Sequence, residues 1–227
     1  MTVNEIQSYI AATTDQNENT SDISASDYSH RLNLINKRER TWAEVTDWRV
    51  LYTEYNTRAS SASANVTVTL PGDFRKPAGY PNVVYDGTNT KQFSEVEKQR
   101  WGQYATTDKL VAYIGTPGNG AYAYFQPGTS NGYFASGASI MIPYYKSPAS
   151  LATSSHQVTC PNPMYLVKSV IADIWESKED QRYTTARAEA EQILANMLER
   201  ETMPSEADAD RSVKTVEQSR YGMRWGE

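Results

Sequence analysis

Cysteine is all but missing from this chain, with Cys160 alone among 227 residues, so no intrachain disulfide can form and folding does not depend on an oxidising compartment. Histidine is nearly as scarce. His30 and His156 have no cysteines or acids at ligand spacing, which argues against a metal site of ordinary type. No run approaches the ~18 consecutive apolar residues of a membrane span, and the start MTVNEIQSYIAATTDQN lacks the basic and apolar regions of a secretory signal. A soluble protein made in a cytoplasm is expected, without a membrane partner. Basic excess is absent too: the net charge of −5 argues against gripping nucleic acid, though not against DNA passing nearby.

Apolar residues make up only 39% of a chain long enough for one domain, or one domain with a large insertion. A modest core implies that neighbouring subunits supply part of the stability. Sixteen tyrosines against four phenylalanines fit that reading, because tyrosine buries area while keeping a polar end. An aromatic-rich sheet explains them equally well.

The periodicity predicts a short helix over 3–12, capped by Thr2, with Ile6, Tyr9 and Ile10 on one face. The stretch from Tyr28 to Tyr52 then reads as an amphipathic helix running directly into β structure, its period changing after Trp48. Ser26 or Asp27 is its expected cap. Tyr28, Leu32, Ile35 and Trp42 form a narrow apolar stripe, and Glu39 stands in the middle of it. An unpaired carboxylate removed from water costs several kcal/mol. Glu39 is therefore expected to pair with an arginine of a facing helix or of a neighbouring subunit, Arg187 being the best placed.

Alternation over 50–55 and again at Val66, Val68 and Leu70 predicts a hairpin, ended by Pro71-Gly72. Further strands are expected at Val83–Tyr85, Leu110–Ile114, Ala121–Phe125 and Ser139–Tyr145, with an inserted helix over 94–104 suggested by the Ser94/Glu97 capping-box spacing. Asn162-Pro163 opens a helix with Met164, Val167, Ile171, Ile174 and Trp175 on its stripe. Another begins near Tyr183, carries Ala186, Ala190, Leu194 and Met197 on one face, and is closed by Pro204. The expected class is α+β: N- and C-terminal helices (1–48 and 161–203) form a bundle, an antiparallel β domain (49–160) is inserted, and an extended arm (204–227) follows. In that arm Tyr221, Met223 and Trp225 alternate as in a strand, so Tyr221, Met223, Arg224 and Trp225 are the candidate partner-binding residues.

Chemistry is poorly represented. Asp15, Asn17 and Asn19 open like a calcium loop, but Thr20 and Ser26 stand where glycine and glutamate are required. GTPGNGA at 115–121 has no Lys-Ser/Thr after it and precedes a strand, as a hairpin turn does. Ser154, Ser155 and His156 are sequence neighbours, which seldom converge in space. No catalytic residue and no cofactor is expected.

The succession of a short helix, RLNLINKRERTWAEVTDW, RVLYTEY, NVTVTL, LPGDFRKPAGYP, a β region and ARAEAEQILANMLERE resembles the head-to-tail connector (adaptor or neck) proteins of tailed bacteriophages. The likeness covers most of residues 1–203, and its most specific parts are the Trp42/Trp48 helix end and the turn from Leu70 to Phe74. It implies a non-enzymatic virion protein, made in the host cytoplasm, that forms a homo-oligomeric ring, commonly of twelve, below the portal. Such a ring extends the DNA channel without specific binding, its C-terminal segment reaches toward the portal, and the next neck or tail protein docks on it. Two other readings stand beside it. One is a carbohydrate- or receptor-binding β module presenting Trp101, Tyr122, Tyr124 and Tyr133; the other is a glycosidase, which needs two acids facing each other in a cleft.

Overall fold

A computed structural model describes residues 1–15, 23–58, 66–79, 82–85, 90–105, 108–116, 119–126 and 137–202. The fold is α+β. Helix α1 (Val3–Thr14) starts at the expected cap, where the Thr2 side chain and Glu5 form a capping box. Helix α2 (Ala25–Val45) begins earlier than its sequence stripe suggests, because Ser24 rather than Ser26 or Asp27 accepts the free amide of the first turn, at Asp27. Helix α3 (Met164–Ser177) and helix α4 (Tyr183–Thr202) close the described chain.

Helix α3 is the hub of the helical part. It packs against α1, α2 and α4, and α1 also touches α2. Its own sequence explains the role: Leu166, Val167, Val170, Ile171 and Ala172 are all buried, so apolar surface wraps most of its circumference. Ile6, Ile10, Ile35, Trp42, Ala186, Ala190 and Met197 meet it in one apolar cluster. Trp42 and Trp48 stack with ring centroids 4.9 Å apart, and the Trp48 indole N–H donates to the Trp42 carbonyl at 2.8 Å. That bond folds the chain back at the end of α2, before a 3-10 turn at Arg49–Leu51.

The strands are β1 (Tyr52–Arg58), β2 (Val66–Thr69), β3 (Phe74–Pro77), β4 (Asn82–Tyr85), β5 (Thr90–Glu95), β6 (Leu110–Thr116), β7 (Asn119–Phe125) and β8 (Ser139–Lys146). They form one sheet in the order β1-β8-β4-β5-β6-β7-β2, with β3 also on β8. β8 is flanked by β1 on one side and by β3 and β4 in series on the other. All pairings are antiparallel except β5 with β6. Phe74 of β3 stacks on Tyr113 of β6 at 5.7 Å and on Tyr144 of β8 at 5.5 Å. In a flat sheet β3 and β6 would lie about 10 Å apart, so the sheet curls over its own core of Phe93, Val111, Phe125, Ile140 and Ile142.

Several expectations need correction. The strands at 52–58 and 66–69 do not form a hairpin; β1 pairs with β8 and β2 with β7, since alternation specifies a face but not a neighbour. Ser94 lies in β5, and the expected helix over 94–104 is a 3-10 segment at Lys98–Gln103. Strands β3 and β5 were not anticipated. Residues 147–160, counted with the β domain from sequence, pack on the helices, where Leu151 and Cys160 join the helical core. The GTPGNGA segment does join two antiparallel strands, β6 and β7. Gly115 there has φ +102°, and a Cβ on it would stand 3.0 Å from the Ala121 backbone, so glycine is required at that position.

Candidate assembly interface

Glu39 is only 1% exposed. The expected Glu39–Arg187 pair is absent: Oε1 of Glu39 accepts from the backbone N–H groups of Thr159 and Cys160, while its Oε2 is buried with no hydrogen-bond partner. Burial pushes its carboxyl above the ordinary carboxylate range, and the two amides pull it partly back. A side chain so enclosed cannot reach another subunit either. Arg187 donates to Glu176 at 2.7 Å and lies 3.6 Å from Asp173. Asp173 in turn accepts from Arg38 Nε at 2.7 Å, so one carboxylate of α3 links α2 to α4. The inter-helix arginine contact exists, one position away from Glu39, and its acid is on α3.

Some of the remaining sequence candidates can be placed in the fold. His156 and Ser154 offer their carbonyls to the N–H groups of Val3 at 2.8 Å and Asn4 at 3.0 Å, two donors that the first turn of α1 leaves free. The His156 ring accepts from the Ala152 amide at 3.2 Å. This is a cap for α1, and it gives the serines no base to work with. His30 is exposed, and Asp15 ion-pairs with Arg31. Asn17, Asn19, Tyr133, Pro204 and the whole arm with Tyr221, Met223, Arg224 and Trp225 lie outside the described residues. Trp101 and Tyr124 stack on each other at 5.4 Å, and Lys98 sits 4.2 Å from the Tyr124 ring centre, so these rings are engaged with one another. A hollow of about 200 Å³ beside α3 and α4 is lined by Arg38, Tyr165, Ser169, Arg187 and Glu191 among others, and another of about 300 Å³ by Asp15, Asp27, His30, Arg31 and Lys178 among others.

The turn from Leu70 to Phe74 is built as a latch. Leu70 and Phe74 enter the sheet core, the Phe74 amide donates to the Pro71 carbonyl at 3.0 Å, and Asp73 accepts from the Tyr144 hydroxyl at 2.9 Å. Burial, then the Asp73 carboxylate, pushes the Tyr144 hydroxyl up to about 12.

Among the described residues five large apolar side chains stay exposed: Tyr9, which does not share the buried face of Ile6 and Ile10 as expected, Tyr104, and the group Val45, Val50 and Tyr52, 44%, 46% and 45% exposed at the corner where α2 turns into the sheet. Tyr52 and Tyr145 meet edge to face at 6.0 Å, with Lys76 over the Tyr145 ring and Asp47 paired to Lys76 and Arg75. Glu54 accepts from the Tyr52 hydroxyl at 3.3 Å. β1 is the terminal strand, and among the described residues nothing pairs with its second edge. An unpaired seven-residue edge beside exposed apolar side chains is the surface most suited to another chain. No sequence signal marked this corner, because Val50 and Tyr52 read as ordinary strand residues.

No protein-family model matches the chain, and no curated protein matches it.

Proposed function

We propose that this chain is a structural protein of a tailed-phage neck, one subunit of a ring, commonly of twelve, that sits below the portal and extends the DNA channel. The observation that carries this reading is the α2–β1 corner. The chain buries a helical core and a sheet core and, among the described residues, still leaves an apolar corner and an unpaired strand edge side by side. A head-to-tail ring covers such a surface on every copy, whereas a monomer covers it on none. The N- and C-terminal helices act as the ring body, the curled sheet projects from it, and the segment after Thr202 is the arm that reaches a neighbour. An acidic wall lets DNA pass without adhesion.

Electron microscopy of the purified full-length protein tests this. Closed rings with a DNA-width channel are the expected result. Monomers or twofold dimers at every concentration would overturn it.

A further inference from the structure

The end of α4 lies against the beginning of the sheet. The Arg49 guanidinium donates to the Glu201 carbonyl at 3.3 Å, and the Arg49 backbone N–H donates to the Glu201 carboxylate. The chain therefore leaves α4 at Thr202 beside Val50 and Tyr52, and residues 203–227 continue from that point. Within them, SRYGMRWGE puts Tyr221, Met223 and Trp225 on one side of an extended chain and Arg220 and Arg224 on the other. Seven residues, 219–225, match the seven of β1.

We propose that residues 219–225 of one copy add as a strand to the free edge of β1 on an adjacent copy, laying Tyr221, Met223 and Trp225 over Val45, Val50 and Tyr52. The proposal rests on the ring reading, names the contact that joins its subunits, and gives the C-terminal segment an adjacent copy as partner where the connector resemblance implies the portal. Spacer length selects the adjacent copy over the same one. Residues 203–218 span up to about 55 Å when extended, more than the roughly 40 Å width of a folded body of this size. A return to the chain's own edge, which lies beside Thr202, would need only the ~2–5 residues of a hairpin loop. One arm given and one received per copy is also the arrangement that closes into a ring.

The test pairs Val50→Cys with Met223→Cys in the full-length chain and reads oxidised protein on a non-reducing gel. Cys160 stays out of the reaction, being buried with its thiol pushed up to about 12. A ladder of linked dimers and higher species is expected, lost when residues 203–227 are deleted. The pair Tyr52→Cys and Tyr221→Cys repeats the test at a neighbouring register, and near-ultraviolet circular dichroism checks that each variant keeps its packing. A link within one chain, seen as altered mobility at monomer mass, overturns the proposal in favour of an arm folded on its own subunit. No link in either pair also overturns it. Rings without a link would leave the ring standing and remove this contact, whereas no rings and no links would remove both.

Discussion

Glu39 is the residue whose environment sets a measurable pH dependence. Its folded-state carboxyl titrates above the unfolded value of about 4.3, because burial disfavours the anion and Oε2 has no donor. A raised carboxyl contributes stability that is complete below the unfolded value and is lost as pH rises through the folded one. Glu39→Gln keeps an acceptor for the Thr159 and Cys160 amides and cannot ionise. The variant should therefore unfold at a higher temperature than the parent at pH 8, with the two converging near pH 4, in thermal scans across that range. Glu39→Leu, which leaves both amides without an acceptor, should cost about 2 kcal/mol at pH 5, read by urea titration. The sequence made Glu39 conspicuous through its place on an apolar stripe. It gave no hint of the partner, since the donors are backbone amides 120 and 121 positions away, and every residue but proline carries one. Arg187 was legible as a bridging cation and not as to its acids, because three helices converge on Asp173 and periodicity fixes only the face each presents.

Among the elements, α2 is tied to the rest by a contact that no pattern announces. The Asn36 side-chain amide donates to the Leu151 carbonyl at 2.9 Å and accepts from the Leu151 N–H at 2.8 Å, pinning the segment after β8 onto α2. Leu151 is buried, so both of its backbone groups lose their partners in Asn36→Ala. That substitution should cost about 2–3 kcal/mol in chemical denaturation, far more than the exposed Asn33→Ala on the same helix. Helices α1, α3 and α4 and strands β6, β7 and β8 were readable because each carries its own period or cap. The pairing of β1 with β8 was not, since Tyr52 and Tyr145 are partners across two strands far apart in sequence, and alternation names a face without naming the neighbour. β3 and β5 escaped for a different reason: FRKP and TKQFSE have too few apolar residues to alternate.

For the molecule as a whole, the question is what the uncovered corner does to stability as concentration changes. Tyr221 and Trp225 would bury about 200 Å² each, which at ~25 cal/mol per Å² gives roughly 10 kcal/mol of gross stabilisation. Association itself costs an estimated ~4–15 kcal/mol. The two are of the same order, so a single arm contact is weak, and a ring in which every subunit makes two contacts forms only above a threshold concentration. Partner binding to the folded state raises the unfolding temperature by mass action. The full-length protein should accordingly show a melting temperature that climbs with protein concentration. The chain ending at Thr202 should melt at one temperature throughout, equal to that of the full-length protein at high dilution, because among the described residues both cores are built from elements that end with α4. Differential scanning calorimetry over a hundredfold concentration range separates the cases. A truncated chain that melts lower even at high dilution would mean that the arm stabilises its own subunit, and the weak-contact account of assembly would fall.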